Sequence, residues 1–133
     1  MRKEIGIDIG TNTGVALAID GVLKEVFSTT ILGAFDYCLE HKDATFRIED
    51  ARKLKFDSGN KARLQGAGSV KRDANIWEEF MNKHELKYFL IDPRQNIKKV
   101  DAARFKKMTG WVARTNEHGR DAAMMVFRRT RNY

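Results

Sequence analysis

Four side chains in this 133-residue chain are of types and in positions that could share one piece of chemistry: Asp8, Glu49, His118 and Asp121. Asp8 interrupts the apolar run IGIDIG at 5–10 and is followed at once by TNTG. A charge inside a buried strand costs several kcal/mol unless something pairs with it. Glu49 and Asp50 close FRIED at 46–50. Alternation along a strand turns Glu49 away from Ile48 and returns Asp50 to Ile48's side, which favours Glu49. His118 and Asp121 stand three apart in NEHGRDAAMM, 116–125, and so share a helix face. Clustered carboxylates suit a hard cation, magnesium first with manganese as a substitute, whose shell substrate phosphate completes. Two such ions about 3.5–4 Å apart activate a water and stabilise the leaving oxygen of a phosphodiester. Each residue alone has a plainer reading. Asp8 caps a turn, Glu49 is a solvated strand end, and His118 with Asp121 are charges at a helix N-terminus, where the dipole favours the acid. The conjunction of all of them is what points to metal-assisted hydrolysis.

The elements that must position these residues follow from periodicity. Residues 4–9 read as a first strand and 10–14 as a turn. Residues 15–20 and 22–31 read as two further strands joined at Asp20-Gly21, a hairpin signal. A short helix is expected at 35–42 and a fourth strand at 45–50, with Phe46 and Ile48 on one face. Over 60–84, Leu64, Ala67, Val70, Ala74, Trp77 and Met81 step by three or four, giving one apolar helical stripe. Gly66 and Gly68 each weaken such a helix by roughly 1 kcal/mol relative to alanine, and make sense if a neighbouring backbone approaches closely there. A fifth strand at 87–92 ends at Asp92-Pro93. A short helix is expected within 98–108, and a last one over 116–129 with Asn116 as N-cap. Ala122 and Ala123 would let that helix pack tightly on a sheet. The order predicts a single α/β domain over 1–133, with an antiparallel meander first, then parallel strands, and helices on the sheet faces. Strands one and four are then neighbours, and a C-terminal helix lying across them brings the carboxylates together.

Charge points to the partner. The chain carries a net +7 with a sequence pI of 9.7. Residues 1–50 hold 5 basic and 9 acidic side chains, whereas residues 51–133 hold 20 and 9. Positive charge concentrated in this way marks a polyanionic partner, nucleic acid first, although a solvated charged face is the plainer reading. Arg52, Lys55, Lys98 and Lys99 are the leading candidates for phosphate contacts; Lys106, Lys107, Arg128, Arg129 and Arg131 come next. Such contacts supply affinity without sequence information. The lone Cys38 excludes an internal disulfide and fits a reducing cytoplasm. The short N-terminal apolar run contains Asp8 and does not read as a signal peptide. No segment is long enough to span a membrane.

In order along the chain, IGIDIGTNTGVALAID, FRIEDA, LQGAGSV, IDPRQNIKKV and HGRDAAMM resemble the RuvC family of Holliday-junction resolvases, within the RNase H-like superfamily. The matching positions are Asp8, Gly10, Thr13 and Gly14; Glu49; the glycine-bearing helix; Pro93, Gln95, Lys98 and Lys99; and His118, Asp121 and Ala122. The resemblance covers nearly the whole chain, and the small size with NEHGRDA suggests a phage-type or divergent member. It implies a mixed five-stranded RNase H-like sheet and a homodimeric, magnesium-dependent endonuclease that nicks two opposed strands of a four-way DNA junction. It also implies that Asp8 bridges two metals, that Glu49 holds one, and that Asp121 with His118 completes the set. Two departures stand out. Ile9 occupies a place where proline is common. The third residue after Glu49 is Arg52 and the next aromatic is Phe56, where many members carry an aromatic wedge soon after the catalytic acid.

Other readings compete. The DIGTNTG turn also resembles the first phosphate loop of actin-like sugar kinases, which need two such domains where this chain has room for one. A nuclease of the same fold acting on other branched DNA or on RNA fits the same residues, since fold does not settle substrate. So does a non-catalytic nucleic-acid-binding module, against which the retention of every acidic position counts.

Overall fold

The computed structural model describes residues 1–53 and 61–128, the side chains of 53 and 61–67 excepted. Strands β1 (Lys3–Asp8), β2 (Thr13–Ile19) and β3 (Val22–Thr29) form the antiparallel meander. At the β2–β3 turn Asp20 and Gly21 both take positive φ, 52° and 81°, as a tight two-residue hairpin requires. Helix α1 (Ile31–Glu40) leads to β4 (Thr45–Glu49), which pairs parallel to β1. Helix α2 (Lys61–Lys83) leads to β5 (Lys87–Ile91), parallel to β4. Helices α3 (Ala102–Thr109) and α4 (Glu117–Met124) close the chain. The five-stranded sheet runs β3-β2-β1-β4-β5, so β1 lies at its centre beside β4, as expected.

Side-chain alternation along the central strands divides the core in two. Ile5, Ile7, Phe46 and Ile48 pack with Val15 and Leu17 against Cys38 of α1 and Trp77 and Met81 of α2. Cys38 is fully buried, and that burial pushes its thiol pKa up to about 12, which leaves it unreactive. The other face packs Ala16, Ala18 and Ile91 against Phe105 of α3 and Ala122 and Ala123 of α4.

Several element ends differ from the sequence expectation. Helix α1 starts at Ile31, because Thr30 caps it, its hydroxyl accepting from the Gly33 amide at 3.1 Å. Helix α3 is displaced to Ala102–Thr109 by its Asp101 cap. Asn116 caps α4 as expected, accepting from the Gly119 amide at 2.8 Å. Yet α4 stops at Met124 rather than running to 129: the Met125 and Val126 amides reach back to Ala122 and Ala123 in tighter turns, and Arg128 donates to the Gly21 carbonyl. The close backbone approach expected at Gly68 is absent: a Cβ there would meet open space among the described residues. Gly66, Leu64 and Ala67 lie outside the residues whose surroundings are described. From Ala74 onward the apolar stripe of α2 is spent on the core, with Ala74, Trp77 and Met81 all buried.

Candidate active site

Asp8 and Glu49 end adjacent parallel strands, and the register Ile7 to Ile48 sets them side by side at the same end of the sheet. Their neighbours Ile7 and Ile48 point into the α1–α2 core, so the two acids project on the α4 side. Helix α4 reaches them because Gly6 of β1 and Gly14 of β2, beneath it, lack side chains. A Cβ on Gly6 would meet the Ala122 carbonyl oxygen at 2.2 Å, and one on Gly14 would meet the His118 carbonyl oxygen at 1.9 Å. Only glycine permits that approach. It puts His118 Nδ1 3.2 Å from Asp8 Oδ2 and buries Asp121 behind it. Thr13 Oγ1 donates to the Gly10 carbonyl at 2.8 Å and braces the turn after Asp8.

The loop between β5 and α3 ties the acids together. Asn96 Nδ2 donates to Glu49 Oε2 at 3.3 Å and to the Asp121 carbonyl at 3.0 Å. The Lys99 amide donates to Asp121 Oδ1 at 3.0 Å, and Lys99 takes φ 56°, a conformation unusual for a non-glycine residue. Lys98 Nζ stands 2.5 Å from Glu49 Oε1. Asn96 is a site residue that sequence reasoning missed, because its partners are distant in the chain and no motif spacing signals it. Ser69 and Asp73, one helical turn apart on α2, were also missed; with Asp8 and Glu49 they line a cleft between the β1–β2 turn and α2.

The acids act on one another. Burial, then the charge of Glu49, pushes the Asp8 carboxyl up to about 6; the His118 hydrogen bond opposes this, and Asp121 adds to it. A cation would relieve that repulsion, so the donor chemistry fits a hard divalent ion. As placed, however, no three His, Cys, Asp or Glu side chains among the described residues close on one point. Glu49 is engaged by Lys98 and Asn96, and Asp121 by the Lys99 amide.

Asp50, the rival to Glu49, is sequestered elsewhere. Arg52 grips it through Nε at 2.7 Å and Nη2 at 2.9 Å, and also contacts Glu78 and Asn75. Those contacts raise the Arg52 pKa, its bond to Asp50 foremost, against the lowering effect of burial. The guanidinium expected to face phosphate is thereby committed to joining the end of β4 to α2. Lys99, Lys106, Lys107 and Arg128 are exposed. Lys55, Phe56, Arg129 and Arg131 lie outside the described residues.

No protein-family model matches the sequence, and no curated protein matches it. Solved structures do match. A T. thermophilus RuvC in complex with a Holliday-junction substrate aligns over 95% of this chain and 90% of that chain, with a TM-score of 0.59 and 13% identity. The fold is RuvC-like. A second Thermus thermophilus RuvC structure aligns over 93% of this chain and 91% of that chain, with a TM-score of 0.55 and 11% identity. The RNase H-like sheet expected from the motifs is therefore the architecture of this chain. In this RuvC-like frame the four acidic and imidazole candidates gather around the ends of the two central parallel strands. No helix among the described residues is long and apolar enough to cross a membrane.

Proposed function

We propose that this chain is a metal-dependent endodeoxyribonuclease that resolves four-way DNA junctions by paired nicks, acting as a homodimer. The observation that carries the reading is the placement of Asp8 and Glu49 at the ends of adjacent parallel strands of a RuvC-like fold, with His118 of α4 3.2 Å from Asp8. Asp8, Glu49 and Asp121 would hold magnesium, with His118 completing the set. Bound there, magnesium supplies an activated water and charge stabilisation for the leaving oxygen. Asp8 presents its carboxylate from a rigid central strand, so little motion is left to freeze. His118, through Nδ1, fixes the orientation of Asp8 Oδ2. Asn96 holds the Glu49 side chain and the α4 backbone at a constant spacing. Lys98 and Lys99 stand beside the acids, where they would take the phosphates flanking the scissile bond. A homodimer suits the substrate, because two opposed strands of a junction are equivalent and a two-fold protein matches them.

The test is cleavage of labelled four-way junction, linear duplex and RNA–DNA hybrid, each with Mg²⁺ and with EDTA. The reading expects cutting of the junction alone, with Mg²⁺ or Mn²⁺. Equal cutting in EDTA would remove the metal. Preference for the hybrid or for linear duplex would keep the nuclease and remove the resolvase.

A further inference from the structure

Glu49 is nearly sealed from water, its side chain 5% exposed, and its counter-charge is the Lys98 ammonium at 2.5 Å. A buried carboxylate left unpaired is costly, so this contact stabilises the metal-free protein. The ammonium thus occupies the side of Glu49 Oε1 that a divalent cation would need. Glu49 Oε1 cannot serve both: a magnesium ligand lies about 2.0–2.1 Å from the ion, and two cations on one oxygen repel each other. The Lys98 side chain is free to leave. It is 35% exposed, and lysine carries its charge on a flexible stem. The loop itself stays anchored without it, through Asn96 Nδ2 and the Lys99 amide.

We propose that Lys98 is the resident counter-ion of Glu49 and exchanges with the divalent metal there, its freed ammonium then taking a DNA phosphate beside the site. This rests on the metal-dependent reading given above. Metal and junction then favour each other's binding by the same factor, as linkage demands. A phosphate draws Lys98 away and opens Glu49 to metal, and metal expels Lys98 toward the phosphate. Without DNA, Lys98 holds metal affinity down.

The exchange is read by Mn²⁺ binding, with free Mn²⁺ followed by electron paramagnetic resonance, for the wild type, Lys98→Met, Lys98→Gln and Asp8→Asn. Without DNA, both Lys98 variants should bind Mn²⁺ about tenfold tighter than the wild type, within the usual range of such couplings. In EDTA they should melt at lower temperature, and Mn²⁺ should raise their melting temperature more than it raises that of the wild type. Adding four-way junction should tighten Mn²⁺ binding by the wild type about tenfold more than by either Lys98 variant, in which direct phosphate coordination alone is left to couple metal and DNA. Unchanged or weaker Mn²⁺ affinity in both Lys98 variants, with Asp8→Asn losing it, would overturn the exchange and leave the metal site standing. Mn²⁺ affinity indifferent to Asp8→Asn, or absent from the wild type and both Lys98 variants, would overturn the metal reading and the exchange with it.

Discussion

Asp8 carries the account at the scale of single residues. Its carboxyl pKa is raised from 3.8 to about 6, by burial first and then by Glu49. A raised folded-state value means that the folded protein binds the proton more tightly than the unfolded chain does. Ionised Asp8 therefore costs stability above about pH 6, and that cost is gone below about pH 3.8. Asp8→Asn removes the charge while keeping the shape. In EDTA it should melt at higher temperature than the wild type above pH 6, with the gain shrinking to nothing as the pH approaches 4. A pKa raised that far caps the gain at about 3 kcal/mol, and loss of the His118 contact takes away part of it. Melting curves of both proteins across that pH range check this. A variant equally stabilised at both ends would show that Asp8 strain is not electrostatic. Lys99 is a separate matter: its contact to Asp121 is made by the backbone amide, so its side chain is free to serve DNA.

At the scale of elements, the docking of α4 on β1 and β2 decides whether there is a site at all. Gly14→Ala would drive a methyl group into the His118 carbonyl, which a Cβ would meet at 1.9 Å. Neither partner is a flexible side chain, so α4 must lift. The expected cost is about 3 kcal/mol or more, the upper end for overpacking, with junction cleavage lost because His118 and Asp121 move with the helix. Denaturant unfolding and single-turnover cleavage measure the two effects. A stable, fully active Gly14→Ala would remove the docking argument. Much of this was legible in the sequence. The Asp20-Gly21 hairpin, the alternation in FRIED and the Asn116 cap are local signals that mark the elements, and the order of those elements, a meander and then alternating helices and strands, made β1 and β4 neighbours. What failed was non-local. The run Met125–Phe127 continues an apolar pattern, so the last helix was expected to go on. The chain instead turns, because Arg128 bonds to the Gly21 hairpin. Gly6 reads as an ordinary strand residue until α4 lies on it. Asn96 bonds to Glu49 across 47 positions, and Arg52 reaches Glu78 of α2 across 26, pairings that spacing alone does not announce.

At the scale of the whole molecule, the chain joins a mainly acidic first segment, which supplies Asp8 and Glu49, to a strongly basic remainder. The proposal needs two such molecules, since one site can cut only one strand of a junction at a time. Sedimentation at micromolar concentration should show a dimer, alone and on junction DNA; a monomer under both conditions would contradict paired nicking. Helix α2, as a dimer interface, has little apolar surface to offer, since Trp77 and Met81 are buried in the core and Ile76, 42% exposed, is the large apolar side chain left outward among the described residues of that helix. In the proposed nuclease Asp8 belongs to the chemistry and the basic residues to the binding. Single-turnover cleavage of a four-way junction in Mg²⁺ by Asp8→Asn, with junction affinity read on the same preparation, separates the two. Cleavage should be nearly abolished while affinity persists or rises, because a negative charge facing the phosphates has gone. If Asp8 only caps the turn before Gly14, asparagine caps as well as aspartate does, and cleavage at the wild-type rate would contradict the account.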